Sequence, residues 1–196
     1  MTRLPGVSDR EASLGAKLAY FCTRRRFVAM TGRETKTMLE PLRMYAHIPK
    51  LLSGYGRLEQ AVAKLDLLDL RHRALAELKA ATTTRCEYCI DLGSQVARGW
   101  GLTDEELLAL PNYQNASCFS DIDKMVLEYS AAMSRTPVEV SNELFDRLRR
   151  HFDTAQLVEL THIIALENLR ARFNLALDIG SAGFTEGTVC AVPEKT

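Results

Sequence analysis

Cys86-Glu87-Tyr88-Cys89 places two thiols one helical turn apart, a spacing at which one sulfur can attack and the other can close a disulfide that stores an electron pair. Thr84-Arg85-Cys86-Glu87 reads as a capping box, which puts both sulfurs in the opening turns of a helix. There the unpaired N–H groups and the helix dipole favour thiolate over thiol, Arg85 adds a positive charge and Glu87 opposes it. The expectation is a thiol pKa somewhat below the roughly 8.5 of free cysteine. Two plainer readings stand beside this one. Cysteines are common small core residues, and a zinc site would need four ligands where the chain offers one Cys-x-x-Cys.

The elements that must position these thiols are helical throughout, since almost every segment with a readable period follows a helical spacing and strand alternation is nearly absent. The fold class is all-α, a single-domain helical bundle. Ser8 is read as the cap of a first helix reaching about Arg26, and a second covers about 34–46, kinked or split by Pro41. Pro49 opens an amphipathic helix, and Asp69 caps the helix that delivers the chain to Thr82-Thr83-Thr84. The cysteine helix then runs to Gly99. Thr103 to Glu106 forms a capping box, Ser120 or Asp121 starts a further helix, Ser141 caps another, and Asp153 to Gln156 boxes the longest, which runs to about Ile179. The predicted division is an N-terminal helical extension over 1–33, the helical domain over 34–185 and a flexible tail over 186–196. A faint echo, Ile90-Asp91-Leu92-Gly93-Ser94 against Leu177-Asp178-Ile179-Gly180-Ser181, raises an internal repeat as a possibility.

The last helix carries a second constellation. Its apolar face of Leu160, Ile163 and Ile164 continues as Glu167, Ala171 and Asn174. Buried polar groups are costly unless paired, so either Arg170 and nearby amides satisfy them or they line a wet pocket. Tyr88, between the thiols, is read either as a gate or as packing.

The run from Leu70 through the cysteines to Leu107, with Val158-Glu159-Leu160-Thr161 and Asn168-Leu169-Arg170-Ala171-Arg172-Phe173-Asn174, resembles the carboxymuconolactone decarboxylase and alkylhydroperoxidase D superfamily over about residues 40–185. The resemblance implies an all-α oligomer and, in the peroxidase branch, a pattern of glutamate, eleven residues, Cys-x-x-Cys, three residues and histidine. Cys86 and Cys89 match; Ala74 stands at the glutamate position and Gly93 at the histidine position. By resemblance Cys89 attacks the peroxide and Cys86 resolves, whereas helix position alone favours Cys86 as the more activated thiol. Losing a positioned base typically costs about a hundredfold to ten-thousandfold, which points to a slow peroxidase or a different thiol enzyme. The residues considered as substitute relay or pocket are Glu77, Tyr88, His162, Glu167, Asn168 and Arg172, with His47, His72 and His151 as the other imidazoles.

The functional expectation is a cofactor-free thiol–disulfide oxidoreductase acting on a hydroperoxide or a partner, with no metal. The alternatives are decarboxylase-like acid/base chemistry on a small organic acid and a redox-silent helical oligomer that binds a small ligand. The resemblance implies a thiol or lipoyl-type reductant protein as partner. Apolar stripes on several helices suggest a homo-oligomer. With 25 Lys and Arg against 25 Asp and Glu, and Arg24-Arg25-Arg26 as the tight basic run, no nucleic-acid partner is expected. Five cysteines at 22, 86, 89, 118 and 190 form an odd, unevenly spaced set, and neither a signal peptide nor a membrane span is read. A cytoplasmic location is the resulting expectation.

Overall fold

The computed structural model describes residues 2–194, and among them every regular element is helical: α1 (Leu14–Thr31), α2 (Glu40–Tyr45), α3 (Pro49–Val62), α4 (Leu70–Thr84), α5 (Glu87–Gly99), α6 (Asp104–Ala109), α7 (Asp121–Ser134), α8 (Asn142–Leu148) and α9 (Thr154–Ala176). No described helix is long and apolar enough to cross a membrane.

Helix α4 is the centre of the bundle, packed between α5, α7 and α9. Its Ala74, Leu75, Ala76, Leu78, Ala80 and Ala81 are all buried, and these small residues let three helices approach one backbone closely. Ser130 of α7 donates to the Ala76 carbonyl at 2.6 Å, which ties that contact polar group to polar group. The fully enclosed Lys79 is held by the Leu110 carbonyl, the Glu194 carboxylate and the face of Tyr113, although burial still lowers its pKa. Helix α1 packs on α5 and α3, so residues 14–31 share the common core.

Several helix starts follow the expected chemistry. Thr103, Ser120 and Asp153 each close a reciprocal capping box, and Asp69 and Ser141 cap α4 and α8. Others shift. Ser8 closes its own turn with Glu11, and Ser13 caps α1 by accepting from the Ala16 N–H. That helix continues past Arg26 to Thr31, where Gly32 ends it at φ 69°. Pro41 lies in the first turn of the short α2 and starts it, because its missing N–H would have no intrahelical partner there.

The expected box at Thr84–Glu87 is replaced by a tighter joint. Thr84 belongs to the last turn of α4 and donates to the Ala80 carbonyl at 2.8 Å. Arg85 takes the left-handed conformation at φ 59°, and the Arg85 and Cys86 N–H groups both close on the Ala81 carbonyl. Two residues separate the helices, so Cys86 itself becomes the cap of α5.

The chain after α9 departs furthest from expectation. Asp91 of α5 accepts from the backbone N–H groups of Ala182, Gly183, Phe184 and Thr185 and from the hydroxyls of Ser181 and Thr185. Burial alone would raise its pKa, but the Thr185 and Ser181 hydroxyls and these amides outweigh it and hold the carboxyl below its usual range. Phe184 is buried against Phe27 and Tyr88. Farther on, Arg98 donates to the Val189 carbonyl, Ala191 N–H to Ser94, and Glu194 N–H to the Thr82 carbonyl. The expected flexible tail over 186–196 is thus anchored as far as Glu194, with 195 and 196 outside the described residues. The echo is not a structural repeat: Ile90–Ser94 is mid-helix, while residues 177–181 leave α9, and the two meet through Ser181 and Asp91.

Asn at position 91 cannot satisfy every donor that converges there. Asp91→Asn is expected to lower unfolding stability by about 3 kcal/mol in denaturant titration, and limited proteolysis should cut first within 180–194.

Candidate active site

Cys86 and Cys89 are joined as a disulfide, with Cα atoms 5.2 Å apart. As the cap of α5, Cys86 Sγ accepts the Cys89 backbone N–H at 3.3 Å. Both sulfurs sit at the amide-rich, electropositive end of that helix, as the spacing predicted. Their environments differ. Both residues are buried, Cys86 completely and Cys89 with 7% of its surface left exposed, so the enclosure is less complete on the Cys89 side. Arg85 and Glu87 are exposed beside it. Gly180 brings the loop after α9 so close to Glu87 that a Cβ there would lie 3.2 Å from the carboxylate.

The side chain that reaches the sulfurs is Asn174 of α9, whose Nδ2 lies 3.5 Å from Cys89 Sγ and 3.7 Å from Cys86 Sγ. Asn174 is 3% exposed, and its Oδ1 is buried with no hydrogen-bond partner among the described residues. The sequence placed Asn174 on the polar continuation of an apolar stripe without bringing it to the thiols. Its one legible signal was that a buried amide at this register needs a partner.

Tyr88 does not gate the pair. It points into the core, donates to the Met38 carbonyl at 2.5 Å and meets Phe184 edge-on; burial raises its phenol pKa. The positions of the absent family acid and base are occupied by hydrocarbon. Ala74 is buried in α4, and a Cβ on Gly93 would come within 3.2 Å of Leu78 Cδ1.

The other expected relay residues lie apart from the sulfurs. Glu167 is seven residues before Asn174, about 10 Å along the helix, beyond direct proton transfer. Arg170 binds Glu59 through two N–H groups at 2.9 and 2.7 Å and Glu167 through one at 3.0 Å, the structural pairing that the sequence had offered as one of two readings. Burial is the main reason that Glu167 is raised to about 7; Arg170 opposes the rise, and the negative Glu77 and Glu59 add to it. Glu77 itself accepts from Arg73 at 3.3 Å. Asn168 turns to Ser134 and the Ile164 carbonyl, and Arg172 clamps Asn168 and Thr136, so both secure α9 against the end of α7. His162 is half-buried, twelve residues before Asn174 and about 18 Å along α9 from it.

Tyr55, Tyr45 and Phe173 stack successively at 4.4 and 4.2 Å between centroids. Tyr45 and Phe173 also line an apolar cleft of about 430 Å³ with Met44, His47 and Leu177, next to the last turn of α9. A larger polar cleft of about 620 Å³ lies on α7 and α8, between Tyr113, Glu128, Arg135 and Glu194, and shares no residue with the surroundings of the sulfurs.

A carboxyl that holds its proton to about pH 7 when folded, against an ordinary 4.5, withdraws stability as pH rises between those values. Wild-type protein should lose on the order of 2 kcal/mol of unfolding stability between pH 5 and 8 through Glu167. Glu167→Gln, followed by urea titration across that range, should flatten the decline.

Residues 49–122 match the carboxymuconolactone decarboxylase family. The chain is 39% identical over 163 residues to the uncharacterized protein YnjA of Escherichia coli K12, covering 81% of this chain and 85% of that one. It is 30% identical over 106 residues to YdfG of Bacillus subtilis 168, covering 54% and 72%. Among solved structures, the debrominase Bmp8 superposes with a TM-score of 0.75 at 17% identity, covering 96% of this chain and 95% of that one. A peroxidase-related alkylhydroperoxidase AhpD core protein from Ralstonia eutropha JMP134 gives 0.75 at 17%, covering 93% and 94%; at such identity both likenesses speak to fold. An all-helical bundle whose residues 49–122 match the family model, and which aligns with a 39% identical relative along most of its length, belongs to the carboxymuconolactone decarboxylase family and shares its fold with the alkylhydroperoxidase AhpD core protein.

Proposed function

We propose that the protein is a thiol–disulfide oxidoreductase that reduces a small, uncharged organic hydroperoxide through Cys89 and Cys86. The observation that carries this reading is the joined pair at the electropositive end of α5, buried completely at Cys86 and slightly less so at Cys89. In the reduced enzyme the Cys89 thiolate attacks the terminal peroxide oxygen. An S–O bond forms, the O–O bond breaks, and the departing alkoxide takes a proton from solvent to leave as alcohol. Cys89 is thereby oxidised by two electrons to the sulfenic acid. Cys86 then gives up its thiol proton to solvent and attacks the Cys89 sulfur; the S–S bond forms and hydroxide leaves as water after taking a proton from solvent. A dithiol reductant protein returns two electrons by attacking Cys89; of the two protons it releases, one stays on the pair and the other goes to solvent. The sulfur released in that step, Cys86, is the one that receives the Cys89 N–H, which suits it to leave as a thiolate.

The apolar cleft that shares Phe173 and Leu177 with the last turns of α9 supports an apolar body for the substrate. The AhpD core and the debrominase among the similar structures are compatible with thiol chemistry on this fold. With no titrating base against the sulfurs, turnover should be slow, in keeping with the usual worth of such a group. Glu167, held near half-charge at neutral pH beside Arg170, is the observation that favours a second reading, acid/base chemistry on a small organic acid.

Stopped-flow oxidation by cumene hydroperoxide, with thiol counting and peptide mass spectrometry, separates the readings. One equivalent should consume two thiols and yield the Cys86–Cys89 disulfide. Cys86→Ser should stop at a dimedone-reactive sulfenic acid on residue 89, and Cys89→Ser should show no fast phase. Equal peroxide reactivity at Cys22 would overturn the proposal. Lactone decarboxylation undiminished in the double Cys→Ser variant would choose the acid/base reading.

A further inference from the structure

Building on the thiol reading above, we infer that Asn174 is a catalytic residue whose side-chain amide holds the reduced pair as one thiolate and one thiol, Nδ2 donating to the first and Oδ1 accepting from the second. The amide touches both reacting sulfurs, and its orientation follows from chemistry. Disulfide sulfurs carry no hydrogen, so an oxygen turned toward them would set lone pairs against lone pairs, and only Nδ2 can face them. In this oxidised state Oδ1 is consequently stranded: buried, on a residue 3% exposed, without a donor among the described residues. An orphaned buried acceptor is an exception that calls for a reason. Reduction supplies one. When two electrons and one proton enter the disulfide, one sulfur becomes a thiolate, the acceptor that Nδ2 needs, and the other gains the S–H that Oδ1 lacks. The second proton released by the reductant dithiol goes to solvent.

The position is held firmly enough for the task. Asn174 sits at the end of α9, where its own carbonyl accepts the Ile179 N–H at 2.9 Å, and the preceding turn is fixed by the fully buried Ala171. A carboxamide neither gains nor loses a proton in this range. It therefore selects a protonation state and relays nothing, which is a different solution from the acid and base whose places Ala74 and Gly93 occupy. The ionisable groups of these elements nearest in sequence to the cysteines and to Asn174 are Arg85 and Glu87 beside the cysteines, Asp91 two residues past Cys89, Arg73, Glu77 and Lys79 on α4, Glu167, Arg170 and Arg172 on α9, and Asp178 after it. Of these, Asp91, Arg73, Glu77, Lys79, Glu167, Arg170 and Arg172 are bound to partners of their own.

The test is the pH profile of iodoacetamide alkylation of the fully reduced protein, read at Cys86 and Cys89 by mass spectrometry, for wild type, Asn174→Leu and the near-isosteric Asn174→Asp. Hydrogen bonds to a charged group are worth enough to move the alkylation midpoint upward by about one pH unit or more in the Leu variant. The Asp variant, which sets a negative charge against the thiolate, should move it at least as far while keeping the packing. Peroxide oxidation at pH 7 should slow by about tenfold or more in both, with the gap closing at high pH. Midpoints that coincide with wild type in the Asp variant would overturn the role of Asn174, whether or not peroxide is a substrate. Wild-type protein whose thiols shift with Asn174 but ignore hydroperoxide would instead overturn the peroxidase reading and leave Asn174 as the group that sets thiol reactivity.

Discussion

The two-residue joint between α4 and α5 is the constraint from which the site follows. Helix α4 is buried on every side by α5, α7 and α9, so its last turn has almost no freedom. Arg85, in the left-handed conformation, turns the chain at once, and the Ala81 carbonyl takes the N–H groups of both Arg85 and Cys86. The amino end of α5 is thus positioned by the most central element of the bundle. A sulfur serving as helix cap inherits that placement, together with the partial positive charge of the unpaired amides.

A second restraint closes the other side. Asp91, two residues beyond Cys89, gathers the backbone of 182–185 onto α5, and Phe184 fills the space between Phe27 and Tyr88. The chain that leaves α9 is therefore drawn back over the cysteine helix. Lys79, Asp91 and Arg170 show how this core tolerates charge: each is surrounded by groups of opposite sign or by aligned dipoles, which offset the loss of water. Glu167 is the exception that shows the rule. Glu59 takes the two-pronged bond of Arg170, leaving Glu167 one N–H and a raised pKa.

These restraints make the two cysteines unequal. Cys86 is completely buried and Cys89 slightly less so, and the side chain that meets both sulfurs comes from α9, not from the local sequence around the thiols. The Cys89 N–H and the Asn174 amide provide the donors that meet the sulfurs.

Much of this was legible in the chain itself. Helical periodicity, the caps at Asp69, Thr103, Ser141 and Asp153, and the Cys-x-x-Cys spacing are local properties, and they determined the all-α architecture and the seating of both sulfurs at a helix start. The box expected at Thr84 failed because the preceding helix claimed Thr84 for its own last turn, a competition between two helices that no short window resolves. The expected cluster of Glu167, Asn168 and Arg172 divided because residues one position apart on a helix diverge by about 100°, which sent Asn168 and Arg172 to the end of α7. Sequence alone settled what kind of helix carries the thiols. Tertiary structure alone decided how deeply each cysteine is buried, which side chain touches both, and where the last described residues lie, because those depend on contacts between segments some ninety positions apart, as with Asn174 and the cysteines or Asp91 and Thr185.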